Sequence, residues 1–486
     1  VQKTFLAAGA ASALFAFALP SLANGRFPAA NQIVFSPGDP NYVVLRATYA
    51  ILPSSDNGTN WRYLCEDVLG LPSDQGEDPS IAVTANSSIL AGVPGFVGGG
   101  LGLSVSADRG CNWSCMGGGL AGQSVVDLAV RPDSPSGAVA ITGTYIPSDA
   151  DVVNSLNQVF QTTDNGATWS ALGTPVDEAV SVTTIDVTKS DPNRIYVSGT
   201  RGYGSMREAL LLVSRDSGAT WAEKAIPQFD PNNELSVYIA AIDPVDADRV
   251  YLRSNGQLGG GLSRIFYTAN AGADAGTAFS LASTLPTNGG FVTPVAGNSD
   301  LTGELLGFAL SPDGTKVYAG TVESGLWVAN ASDMVFTQKN PGVHIRCLAT
   351  RNQELWACSD IGTGFTVGES LDEGATFTSK MTYVTSLCGP LDCAAVDGGT
   401  LGCGATSNAA ACGSVYQDFC AVTDVSNTCG KCISEADAGP SHATSTSTSS
   451  CGCSVVGGGG ATGALAGLAI AAMALQRRRS ARRSRR

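Results

Sequence analysis

The sequence predicts an all-β fold: a seven-bladed β-propeller of four-stranded antiparallel blades, then a small disulfide-rich module and a C-terminal transmembrane helix. Three observations carry this reading. A hairpin box recurs roughly every 50 residues, a period that marks propellers and arrays. An Asp/Pro/Gly turn followed by an alternating β-branched and aromatic run recurs ahead of the boxes, as in SPGDPNYVVLRAT, KSDPNRIYVSG and SPDGTKVYAG. Helical periodicity is absent from residue 31 to residue 381.

The box reads S/T-x-D-x-G-x-x-W/F. It occurs as SSDNGTNW (54–61), SADRGCNW (106–113), TTDNGATW (162–169), SRDSGATW (214–221) and SLDEGATF (370–377). Two worn copies, TANAGADAGTAF from Thr268 and VANASDMVF from Val328, fill the gap. Each copy is expected to join the third and fourth strands of a blade. Asp56, Asp108, Asp164, Asp216 and Asp372 would accept backbone N–H groups of their own turn, and the glycine would supply a positive φ. Trp61, Trp113, Trp169, Trp221 and Phe377 would bury a ring against neighbouring strands. These acids therefore read as structural, not catalytic.

On these residues the chain resembles the Asp-box propellers of the sialidase/BNR-like families over about 350 residues. The resemblance implies a functional face opposite the boxes. It also implies, for a sialidase, three arginines clamping a carboxylate, a Tyr–Glu nucleophile pair, an Asp acid and an early R-I-P motif. Arg26-Phe27-Pro28 matches that motif only at its ends, and Arg46, Arg201 and Arg253 lie near the ends of second strands, with Tyr203 close to one of them. Xyloglucanase-like relatives use two aspartates between two propellers, and this chain has one.

Both ends read as addresses. Residues 1–23 have a basic start at Lys3, an apolar run and small residues at Ser21 and Ala23, as in a secretory signal. A Ser/Thr-rich linker is expected at 433–450 and an uncharged span at 455–475, followed by seven arginines. The 451–486 segment resembles the MYXO-CTERM sorting signal of myxobacterial surface proteins, which implies processing near Cys451 or Cys453. The expectation is an exported protein, at the cell surface, the outer membrane or outside the cell, held in a membrane by this helix before processing.

The chain has 28 basic and 42 acidic residues and a formal charge of −14. Removing Lys3 and the seven tail arginines removes no acid, so the exported part is more acidic still. Phosphate backbones need a basic face, which argues against a nucleic-acid partner. Two histidines, His344 and His442, give no basis for zinc chemistry built on His clusters, and Cys429-Gly-Lys-Cys432 admits a zinc reading beside the favoured disulfide one; no cofactor is expected, and Ca²⁺ on acidic loops stays open.

Fourteen cysteines in an exported chain imply disulfides. Cys347 and Cys358 fall on consecutive strands and are expected to pair. The 388–432 segment holds seven cysteines and too few apolar residues for its own core. The first two blades hold three, Cys65, Cys111 and Cys115. If the sorting signal uses Cys451 and Cys453, twelve cysteines remain and both counts are odd, so full oxidation needs an odd number of bridges between the groups, unless one joins Cys347 or Cys358. Such a bridge would clamp the module to the ring.

Candidate catalytic acids precede first strands at Glu77, Glu178, Glu234 and Glu304, or lie in the 146–158 insertion at Asp149 and Asp151. They fit either a cation ring, glycoside acid/base chemistry or solvated loops. Arg201, Tyr203 and Arg207 in RGYGSMRE are the binding candidates. The preferred reading is a monomeric, non-catalytic propeller binding a carbohydrate, peptide or protein on its loop face. The alternatives are a glycoside hydrolase, sialidase-like or xyloglucanase-like, and a surface assembly or adhesion part.

Overall fold

The computed structural model describes residues 29–48, 50–69, 78–93, 102–114, 120–143, 156–256, 262–273, 278–283, 290–292, 304–360, 363–383, 386–391, 412 and 416. The two terminal address segments, the linker, Glu77, Asp149, Asp151, Cys451 and Cys453 lie outside them. Among the described residues no helix is long and apolar enough to cross a membrane.

Seven antiparallel sheets follow one another along the chain. Blade 1 consists of Ala30–Phe35, Val43–Ala47, Ala50–Ser54 and Trp61–Cys65. Blade 2 has Ser80–Val83, Ile89–Val93 and Gly102–Ser106, with Ser114 forming a single antiparallel bridge to Val105. Blade 3 has Val125–Val130, Ala138–Thr142, Val159–Thr162 and Ser170–Ala171. Blade 4 has Val180–Val187, Ile195–Arg201, Glu208–Ser214 and Ala222–Ala225. Blade 5 has Glu234–Ile242, Val250–Gly256, Leu262–Thr268 and Ser280–Leu281. Blade 6 has Gly307–Leu310, Lys316–Thr321, Gly325–Asn330 and Thr337–Asn340, and blade 7 has Cys347–Arg351, Glu354–Cys358, Val367–Ser370 and Thr378–Met381. First strands of successive blades pack side by side, and the circle closes where blade 7 meets blade 1. Each blade thus shields the apolar faces of its neighbours, and second strands such as Ala138–Thr142 are buried throughout.

The box hairpins show why the motif repeats. In the third copy the Asp164 carboxylate accepts Thr168 N at 2.9 Å and the Thr162 hydroxyl at 2.7 Å, while Thr162 Oγ1 accepts Gly166 N at 3.0 Å. The Thr168 hydroxyl, which donates to Asp164 at 2.6 Å, together with these bonds holds the Asp164 carboxyl below its ordinary range, and the same arrangement takes Asp372 down to about 2. The residue before the glycine is left-handed in all five intact copies, at Asn57, Arg109, Asn165, Ser217 and Glu373. Gly166 follows at φ 89°, and a Cβ there would stand 2.4 Å from Leu90 of blade 2. The indoles of Trp61, Trp113 and Trp169 are buried and each donates to the box glycine carbonyl. Trp221 departs from this. Its indole donates to Thr174 O at 3.1 Å, because Gly218 O is already taken by Thr174 N, and its ring is only partly buried.

Ring closure has its own device. Leu387–Pro390 runs parallel to the outer strand of blade 1, with Trp61 N donating to Ser386 O and Leu391 N to Tyr63 O. The Tyr63 and Tyr416 rings meet at 5.3 Å, and Cys65 is bonded to Cys412. This is a bridge of the kind that cysteine parity required, between the first blades and the module. Cys347 pairs with Cys358 across the first two strands of blade 7, as expected. Trp61, Tyr63 and Leu64 are consequently buried, whereas the outer strand of blade 3 is exposed.

Candidate ligand-binding face

Alternation of antiparallel strands puts the box hairpins and the first-to-second turns on one face. The second-to-third loops and the blade connections lie on the other. On that loop face the sequence candidates separate. Glu178 is exposed at the start of blade 4. Glu234 is not at an open mouth: it is 0 % exposed, accepts Arg264 Nε at 2.8 Å and the Ser254 hydroxyl, and also accepts Asp230 N at 2.7 Å. It ties the first strand of blade 5 to the third. Arg201 is engaged by Asp177 at 2.6 Å and Glu223 at 2.7 Å.

The three arginines compared with a carboxylate clamp each have partners within the protein. Arg46 of blade 1 donates to Pro79 O, and Arg253 of blade 5 donates to Leu305 O while lying 4.6 Å over the Tyr238 ring. Each stitches its blade to the next, and Arg201 sits in blade 4 with its own acids.

Beside these charges the face exposes large apolar side chains. Met206 is 79 % exposed, Leu156 56 % and Tyr203 45 %, and Leu235 is exposed as well. Gly202 and Gly204, both at positive φ, turn the chain into the short 3₁₀ segment Gly204–Met206, and a Cβ on Gly202 would stand 2.6 Å from Met206 O. That tight turn presents Tyr203 and Met206 outward. Leu156 belongs to the same arc: neighbouring Asn157 donates to Asp177 O and Val180 O, and Val180 pairs with Arg201. Leu235 opens the first strand of blade 5, which packs on the second strand of blade 4. Exposed Glu178 and Glu208 lie within this arc, with half-buried Arg207 between Met206 and Glu208.

Sequence reading missed the acids inside the first strands, which pack side by side around the ring. Asp127 accepts the Ser80 hydroxyl at 2.7 Å and Ile185 N at 3.0 Å, so one carboxylate joins blades 2, 3 and 4. Burial raises its carboxyl, and burial with the nearby Asp127 charge pushes Asp186 up to about 7. A carboxylate within the buried runs VVDLAV and VSVTTIDV was the available signal. Glu304, 2 % exposed, is likewise raised by burial to about 7, with Arg253 opposing. His344 Nδ1 lies 2.6 Å from Asp360 Oδ2. No group of three or more metal-ligating side chains occurs among the described residues.

These features define a class: a seven-bladed propeller with an apolar, acid-rimmed loop face over blades 3 to 5. No protein-family model matches the sequence, and no curated protein is significantly similar to it. Solved structures similar to the chain include YCF48 from Cyanidioschyzon merolae, at 14 % identity and TM-score 0.43 over 68 % of this chain and 92 % of that one. They also include a GH74 enzyme from Niastella koreensis, at 16 % identity and TM-score 0.31 over 72 % and 65 %. Saccharomyces cerevisiae Sqt1 stands at 12 % identity and TM-score 0.46 over 72 % and 85 %. At such values none of them carries a ligand or an activity over to this chain.

Proposed function

We propose that this protein is an exported, surface-displayed propeller that binds a peptide or protein segment on the loop face of blades 3 to 5 without catalysis. The observation that carries the reading is the concentration of exposed Leu156, Tyr203, Met206 and Leu235 on that face. Exposed apolar side chains gathered on one face mark interaction sites. The surrounding Asp177, Glu178, Glu208 and Glu223 favour a partner bearing Lys or Arg beside its apolar anchors. Glu234 and Arg201, two of the groups that suggested chemistry, are engaged in ion pairs.

The purified protein, offered basic amphipathic peptides and a glycan array, should retain the peptides. Tyr203→Ala with Met206→Ser should weaken that binding at least tenfold, and Glu178→Lys should reduce its salt dependence. Retention of glycans alone, or peptide binding indifferent to these substitutions, would overturn the reading.

The rival reading, a glycoside hydrolase, draws on one observation: a carboxyl near 7 at Glu304 is protonated enough at neutral pH to serve as a general acid. Turnover of a polysaccharide that disappears in Glu304→Gln would replace the binding proposal. Surface display is tested by protease shaving of intact cells.

A further inference from the structure

The turn after the second strand of blade 4 carries the most exposed large apolar side chain among the described residues, Met206, at 79 %. Its backbone is tied down: Met206 N donates to Tyr203 O at 3.0 Å and Arg207 N to Gly204 O at 3.2 Å. None of the residues Gly204–Met206 is buried. The turn therefore holds the thioether out in solvent.

Methionine differs from the leucines beside it in one chemical respect. Leu156 and Leu235 present only carbon and hydrogen, whereas a thioether is oxidised to a polar, chiral sulfoxide. Access decides which methionine reacts. Met334 and Met381 are 0 % exposed, the first in the core between blades 5 and 6, the second at the seam of blades 7 and 1. Met116 and Met473 lie outside the described residues. The sulfurs of Cys65, Cys412, Cys347 and Cys358 are already in disulfides, and Cys388 is buried.

We infer that Met206 is a redox-modified site through which a hydroperoxide switches off binding at the loop face, an inference that rests on the binding reading above. With hydrogen peroxide, an S–O bond forms as the O–O bond breaks. The proton of the transferred oxygen passes to the departing hydroxide, which leaves as water. Sulfur is oxidised by two electrons and the peroxide is reduced by the same two. The sulfoxide oxygen is an acceptor that resists losing its hydration, so it no longer suits an apolar anchor of the partner. Exposed Glu178 and Glu208 are untouched, so the attraction for a basic partner persists while the apolar contact is lost.

The full chain, treated with graded hydrogen peroxide, is mapped by peptide mass spectrometry and titrated with an amphipathic Lys/Leu peptide. Met206 should take up oxygen before Met334 and Met381. Affinity should fall roughly tenfold in step with the Met206 sulfoxide, with its salt dependence retained. Methionine sulfoxide reductases for both epimers should restore it. Met206→Leu, whatever its own affinity, should lose none of it on peroxide treatment, and Met206→Gln should bind as weakly as the oxidised protein. Oxidation of Met334 or Met381 ahead of Met206, full affinity at complete Met206 oxidation, or peroxide sensitivity that survives in Met206→Leu would overturn the inference. Failure of the untreated protein to bind the peptide would overturn the loop-face reading, and the switch with it.

Discussion

Asp186 shows how one side chain ties the core to pH. Its carboxyl stands at about 7 because burial and Asp127 disfavour its charge. In the unfolded chain it returns to about 3.9. The folded state therefore binds the extra proton between those values. The stabilisation this brings is complete below pH 4 and lost as pH rises through 7. Asp186→Asn removes the charge at all pH values, so it should stabilise at pH 8 and leave pH 4 nearly unchanged. With the side chain partly open to solvent, the gain at pH 8 is on the order of 1 kcal/mol. Denaturant melts at the two pH values check this, and an equal effect at both would remove the electrostatic explanation.

Elements were readable to different depths. The box hairpins were legible from sequence because their bonds span two to four residues, as from Asp164 to Thr162 and Thr168. Glu234 was read as a mouth acid because its partner Arg264 lies 30 residues away on another strand, and no local spacing announces it. The strap Leu387–Pro390 was likewise invisible as a strand, although cysteine parity announced a covalent tie between the first blades and the segment that follows it. Cys65 and Cys412 are 347 residues apart in sequence, against 11 for Cys347 and Cys358. Loop-closure entropy grows with the logarithm of that separation, a difference of about 3 kcal/mol in the chain-entropy model. Cys65→Ser should thus lower stability well beyond Cys347→Ser and expose the outer edge of blade 1. Thermal melts and hydrogen exchange at Trp61 and Tyr63 read both effects; equal losses in the two variants would deny the strap its role.

At the scale of the whole molecule, the seam between blades 7 and 1 decides whether seven sheets make a ring. The four antiparallel strands of blade 1 come from one continuous segment, and so do those of blade 7, and the strap after blade 7 adds to the sheet of blade 1 as a fifth, parallel strand. Besides the strap, Arg351 spans the seam. Its guanidinium donates to Pro40 O at 2.7 Å and to Asn57 Oδ1 at 2.6 Å, pairs with Glu354, and lies 4.6 Å over Phe35 and 5.1 Å over Trp356. Arg351→Met keeps the apolar stem but loses the bonds, at an expected cost of about 2–4 kcal/mol. Limited proteolysis should then cut first in blades 1 and 7, and cleavage spread evenly around the ring would show that the seam is not the weak point.

The sequence by itself determined the all-β class, the number of blades, the hairpin role of the boxes and the need for a bridge back to the first blades. Those properties rest on local turns, alternation and counting. The tertiary structure alone decided which carboxylates are open, which are consumed by arginines and which are buried in the first strands. Ionisable groups are tuned by neighbours brought together from distant strands, and only the closed ring sets those distances.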